Sequence, residues 1–202
     1  MSEEEEGKSQ DLGFPWPKLG DKAFSSAARP IDNVVINTSG HGKTWRMTDG
    51  YKRAADHLVK LANANWHERE HLVYPILFNY RHFIELSLKS LIDEFGPEVG
   101  VPANWKTHDL IVLWEALKRI YEIYGIVERN DEDTAVESVI KEFAVIDPGS
   151  FSFRYPRDTK GNPVSLPQSE VDLAEMANVM EALEVYFSGC EGYLDHIQNS
   201  RP

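Results

Sequence analysis

Three stretches of the chain carry side chains that hold anions and move protons. In the first, Arg81, Glu85 and Lys89 recur at i, i+4 and i+8, so a helix gathers them into one charged stripe with His82 beside it. The ordinary outcome of this spacing is a solvent-facing ladder of ion pairs, each contributing a few tenths of a kcal/mol. The second stretch, Thr107-His108-Asp109-Leu110, reads as a helix start. Free backbone N–H groups and partial positive charge favour an anion there, and His108 stands next to it. Thr107 is a good N-cap, while Asp109 serves either to orient His108 or to cap the helix, and capping alone does not require a histidine. The third, Phe153-Arg154-Tyr155-Pro156, adds a guanidinium and a ring able to stack on a base. Brought together, Arg81, His82, His108 and Arg154 form a composite site in which His is acid or base and Arg stabilises a pentavalent phosphate. For binding alone the candidates are Arg81, Lys89, His108 and Arg154, with Glu85 orienting Arg81 and Lys89 through ion pairs.

Other words in the chain compete with these. Val34-Val-Ile-Asn-Thr-Ser-Gly-His-Gly-Lys-Thr44 matches the end of a P-loop, and Phe143 to Asp147 imitates a Walker B strand. Asn37 stands where the first P-loop glycine belongs, Trp45 to Gly50 is a poor helix start, and no alternation of strands and helices supplies a parallel sheet. His67-Glu-Arg-Glu-His71 spells the five-residue zincin word, but at a helix junction just before Tyr74-Pro75 rather than deep in a long helix, so no metal site is expected. Cys190 is the only cysteine, and its place on an apolar helix face suits a packed thiol better than a nucleophile.

The elements that must position these residues are helices. Residues 1–10 read as a disordered acidic tail, and residues 11–48, rich in Pro and Gly, as an irregular arm packed on the core, with Val34 to Ile36 as one short strand. A 3.6-residue period then takes over. It predicts a first helix from about Asp49 to Asn65 and a second from near His71 to Phe95, stopped by Gly96-Pro97. A third follows the Thr107 cap to Gly125, and a fourth follows a Thr134/Glu137 capping box to Pro148. Residues 151–167 suggest a structured loop or short hairpin. After Ser169, Leu173, Met176, Met180, Leu183, Phe187, Cys190, Leu194 and Ile197 form a heptad-like seam on a long last helix. The fold class is therefore all-α, an antiparallel bundle of four to five helices over residues 49–198.

With these elements in place the three stretches resemble a known family. Phe78-Asn-Tyr-Arg-His-Phe-Ile-Glu-Leu-Ser-Leu-Lys-Ser-Leu-Ile, then Thr107-His-Asp-Leu, then Arg154-Tyr-Pro before a long amphipathic helix, are together similar to the HEPN superfamily across roughly residues 50–198. The resemblance implies a four- or five-helix bundle, often dimeric, that binds nucleotides or RNA. It also implies the setting of many members, bacterial toxin–antitoxin or phage-defence systems. Catalytic members are metal-independent ribonucleases with four to six residues between an Arg and a His. Here Arg53 and His57 are one residue too close and in a different helix, and Arg69 and His71 are closer still. The expectation is a domain that binds a nucleotide or RNA phosphate through Arg81, Glu85, Lys89, His108, Asp109, Arg154 and Tyr155 without cleaving it. The alternatives are a ribonuclease built on the composite site and a homodimeric interaction module joined through the last helix.

Composition narrows the partners. The 202 residues hold 21 Lys and Arg against 33 Asp and Glu, a net charge of −12, of which Glu3 to Glu6 account for four. A field of that sign repels long phosphate backbones, so a generic basic nucleic-acid module is excluded and any phosphate contact must be local. Hydrophobic residues at 42% exclude a wholly disordered chain. One cysteine, no basic and apolar leader and no long apolar run lead to the expectation of a soluble cytoplasmic protein with no cofactor and no membrane contact. Nucleotide or RNA, a second copy of the chain and a partner protein are the expected partners.

Overall fold

The computed structural model describes residues 15–36, 39–126 and 130–200; the acidic tail and Asn37 of the P-loop comparison lie outside them. The chain divides into a first unit ending at residue 38 and a second beginning at Ser39. Among the described residues of the first, only a turn of 3-10 helix forms, Pro30–Asp32, and Trp16, Phe24, Val34 and Val35 are exposed. Val34 to Ile36 are not a strand. The second unit is an all-α bundle of α1 (His41–Ala64), α2 (Trp66–Phe95), α3 (Leu110–Tyr124), α4 (Asp131–Ile146) and α5 (Leu173–Asn199). Among the described residues there is no strand, and no helix is long and apolar enough to cross a membrane.

α2 is the central helix. It packs on α1, α3 and α5, and α4 packs on α3. Its residues from Phe83 to Lys89 are all buried, because neighbours cover it on several sides rather than along one stripe. This overturns the solvent-facing ladder: Arg81, Glu85 and Lys89 lie inside the bundle. At the end of α2 position 96 requires glycine, because any Cβ there would strike the carbonyl oxygen of Val101, whose N–H donates to the Gly96 carbonyl at 2.9 Å.

Several boundaries differ from the sequence expectation. α1 starts eight residues early, at His41, and places Gly42-Lys43-Thr44 in its first turn. Trp45 and Met47 are exposed there, so those turns present no buried face for periodicity to reveal. Asn65 alone separates α1 from α2, its side chain accepting from the His67 N–H, so the helix expected from His71 begins at Trp66. Asp109, not Thr107, caps α3 by accepting from the N–H groups of Ile111 and Val112. The capping box of α4 joins Asn130 and Asp133 rather than Thr134 and Glu137, and Asp172, not Ser169, caps α5. Before α5, a loop closes through one antiparallel bridge, Arg157 to Pro163.

The seam of α5 is used by its own chain. Leu173, Met180, Leu183, Phe187 and Leu194 are buried in a core with Leu88, Leu113, Trp114 and Ile140, so these side chains are not free to meet a second copy. Cys190 packs at the edge of that core, and burial pushes its thiol above the usual value, which disfavours the nucleophilic thiolate.

Candidate functional site

The first and second stretches meet around one buried carboxylate. Glu85 is 1% exposed and accepts from Arg81 Nη1 at 2.8 Å, Lys89 Nζ at 2.7 Å and His108 Nδ1 at 2.9 Å. Burial alone would raise its carboxyl, but the hydrogen bonds from Lys89, His108 and Arg81 outweigh burial and hold it below the ordinary carboxylate value. An ionised carboxylate only accepts, so the proton on this edge of His108 sits on Nδ1. The His108 ring is 51% exposed, which leaves Nε2 as the nitrogen available to a ligand.

Arg81 is a brace. Its guanidinium is fully buried, with Nη2 donating to the His108 carbonyl at 2.6 Å and Nε to the Asp147 carbonyl at 3.0 Å. It thus ties the start of α3 to the end of α4. Lys89 does the same for the loop ahead of α3, donating to the Trp105 carbonyl at 3.2 Å. Two buried cations are matched by two buried anions, Glu85 and Asp147, and that balance is the condition under which charges are tolerated in a core. The expectation that Arg81 and Lys89 contact phosphate directly is therefore corrected, since both are enclosed and engaged by the protein. Of the two roles open to Asp109, the cap is the one present: one carboxylate oxygen accepts from the Ile111 and Val112 N–H groups.

Asp147 links the third stretch to this network. One carboxylate oxygen accepts from the N–H groups of Phe151 and Ser152 at 2.7 and 2.8 Å; the other lies 3.3 Å from Arg81 Nε without completing a hydrogen bond. Between them Ser150 takes a φ of 55°, a conformation uncommon for a residue with a side chain, and its carbonyl accepts from both Nε and Nη2 of Arg154. Arg154 is exposed and lies over the rings of Phe78 and Tyr155 at 5.6 and 5.5 Å. Tyr155 is half exposed and stacks on Phe151, centroids 4.7 Å apart, so one of its faces is already taken.

His82 reaches the cluster from inside. It stacks on Phe78, the ring that also carries Arg154, and meets Tyr51 edge-on at 4.4 Å. Its Nδ1 is buried without a hydrogen-bond partner, and burial lowers its proton affinity, opposed by the Glu85 charge. The structure thus joins Arg81, Glu85, Lys89 and His108 in one network, attaches Arg154 and Tyr155 to it through Asp147, and sets His82 behind them. Beside Asp109, a cavity of about 440 Å³ opens between α3 and α4, walled by Ile111, Ala144, Val145 and Pro148 with Lys141 at its edge.

Sequence reasoning missed Asp147, taking it only as a Walker B imitation; the signal was an Asp-Pro-Gly-Ser turn after a helix, a sequence suited to side-chain capping of a loop. It also missed Lys52, buried on α1 and paired with Asp56, Glu181 and Glu184 at 3.0, 2.5 and 2.9 Å. The zincin word lies at the start of α2 with His67 and His71 exposed, and no group of three ligand-type side chains converges among the described residues. Comparison of the chain with family models, with curated proteins and with solved structures found no match.

Proposed function

We propose that the protein is a HEPN-like domain that binds the phosphate of a nucleotide or of RNA at the rim formed by His108, Arg154 and Tyr155. The buried Arg81, Glu85 and Lys89 hold that rim in place. The observation that carries this reading is the Glu85–His108 hydrogen bond: a buried carboxylate accepts from Nδ1–H and orients a half-exposed imidazole, whose Nε2–H in the protonated ring donates to a phosphate oxygen. Further support comes from the wiring. The three words of the resemblance, distant in sequence, are joined by hydrogen bonds through Arg81 and Asp147. The cavity beside Asp109 offers an apolar wall of the size that small ligands use. The acidic surface limits the ligand to a nucleotide or a short single-stranded segment. The physiological setting in this reading is the toxin–antitoxin or phage-defence one.

The test is binding of a labelled single-stranded RNA oligonucleotide, with AMP as competitor, followed by fluorescence anisotropy. His108→Ala and Arg154→Ala are each expected to weaken binding about tenfold, as loss of a charge-assisted contact does. Unchanged affinity in both variants rules the rim out. A second reading is favoured by the same dyad, because a carboxylate-oriented imidazole is also the arrangement of a general acid or base. In that reading the protein cleaves RNA in the presence of EDTA and His108→Ala does not.

A further inference from the structure

We propose that the groove between α1, α2 and α5 binds a basic segment of another protein, with one apolar side chain inserted on its floor and Lys or Arg on either side. The groove encloses a cavity of about 270 Å³ and shares no lining residue with the His108 rim, although α2 serves both. Its lining is mixed: Phe83, Leu91 and Phe187 face it from the core, with the hydroxyls of Thr48, Ser87, Ser90 and Ser188 among them. Trp45 forms one wall and is 64% exposed, a large ring left to solvent at the mouth. Such a ring suits an apolar anchor or the plane of a guanidinium.

The charge of the rim selects the occupant. Asp49, Glu94, Glu184 and Glu191 stand around the mouth, Asp49 paired with Arg53 at 3.4 Å and Glu184 with Lys52 at 2.9 Å. α5, which supplies one side, carries five carboxylates and neither Lys nor Arg. Lys52 is the buried cation beneath it, already engaged by Glu181 and Glu184, while Glu191 is exposed and in no ion pair among the described residues. A second copy of the chain would set the same acidic face against itself. The chain's own Glu3 to Glu6 segment has the wrong sign as well. A cationic amphipathic segment matches both the rim and the floor, and the net charge of −12 steers it inward.

The experiment uses the full chain and a fluorescein-labelled helical peptide of Lys and Leu, read by anisotropy at physiological salt. Glu191→Lys and Trp45→Ala alter exposed side chains, and circular dichroism checks that both variants fold. Each is expected to weaken the peptide about tenfold, whereas Glu142→Lys on α4 leaves binding within about twofold. The proposal is overturned by equal binding to wild type and both groove variants, or by equal binding of a peptide with Gly in place of Leu, which reduces the effect to bulk charge. Displacement of the peptide by spermine at matching concentration also overturns it, in favour of a small-cation site. RNA binding serves as the independent control and is expected to be unchanged in Glu191→Lys.

Discussion

Replacing Arg81 by Met removes the brace while keeping an apolar chain of similar length. The loss reaches three elements together: Glu85 loses a partner at 2.8 Å, and the carbonyls of His108 and Asp147 lose donors at 2.6 and 3.0 Å. All of this happens at a guanidinium with no exposed surface, so water does not replace what is lost. Breaking a buried charge pair by deleting one partner costs about 3–5 kcal/mol, whereas an exposed i, i+4 pair is worth roughly 0.3–0.5 kcal/mol. Glu85 keeps Lys89 and His108, which places the expected cost toward the lower end, about 3 kcal/mol. For a domain of this size each kcal/mol moves the melting temperature by about 2–4 °C, giving a drop on the order of 10 °C. Urea unfolding followed by far-UV circular dichroism measures the difference. The double variant with Glu85→Gln is expected to be less destabilised than the sum of the two singles, because both report one network. A loss below about 1 kcal/mol for Arg81→Met refutes the brace and restores the exposed ladder.

Three further outcomes follow from the same contacts. His82 and Glu85 both have lowered proton affinity in the folded state, so the unfolded chain binds more protons and stability falls with acid, first below the ordinary histidine value of 6.5 and again below the ordinary carboxylate value of 4.5; urea midpoints across pH should show both losses, with His82→Phe removing only the first. Lys52→Met leaves Asp56, Glu181 and Glu184 without their shared cation, but these carboxylates reach solvent, so the expected cost is about 2 kcal/mol by urea unfolding, and no change contradicts a buried role for Lys52. The Cys190 thiol, half-buried and raised, should react slowly with a thiol reagent in the native protein and rapidly in urea; equal rates contradict its packing.

The fold was legible where apolar residues recur on a single face. Leu110, Leu113, Leu117 and Ile120 mark α3, and the α5 seam from Leu173 to Leu194 is in the core as its spacing requires. What escaped notice was set by tertiary contact. The first two turns of α1 carry an exposed tryptophan and no inward stripe, so nothing periodic announces them. Spacing alone showed that Arg81, Glu85 and Lys89 share a helix face, but the depth of that face depends on how many neighbours cover α2, a property of the whole bundle. Caps moved by two to four residues because Asp109, Asn130 and Asp172 compete with nearby Thr and Ser that offer the same oxygen chemistry. His108 and Arg154 were legible as a pair of candidates, whereas Asp147, which couples their segments, has no local signature beyond a turn.

The most direct test of the phosphate rim is the imidazole nitrogen spectrum of His108 in isotope-labelled protein, recorded by NMR with and without a 5′-phosphorylated RNA oligonucleotide. The expected result is a protonated Nδ1 that stays bonded to Glu85 throughout, with an Nε2 signal that shifts on titration in wild type and far less in Arg154→Ala. An Nε2 signal that does not move at saturating oligonucleotide contradicts the account.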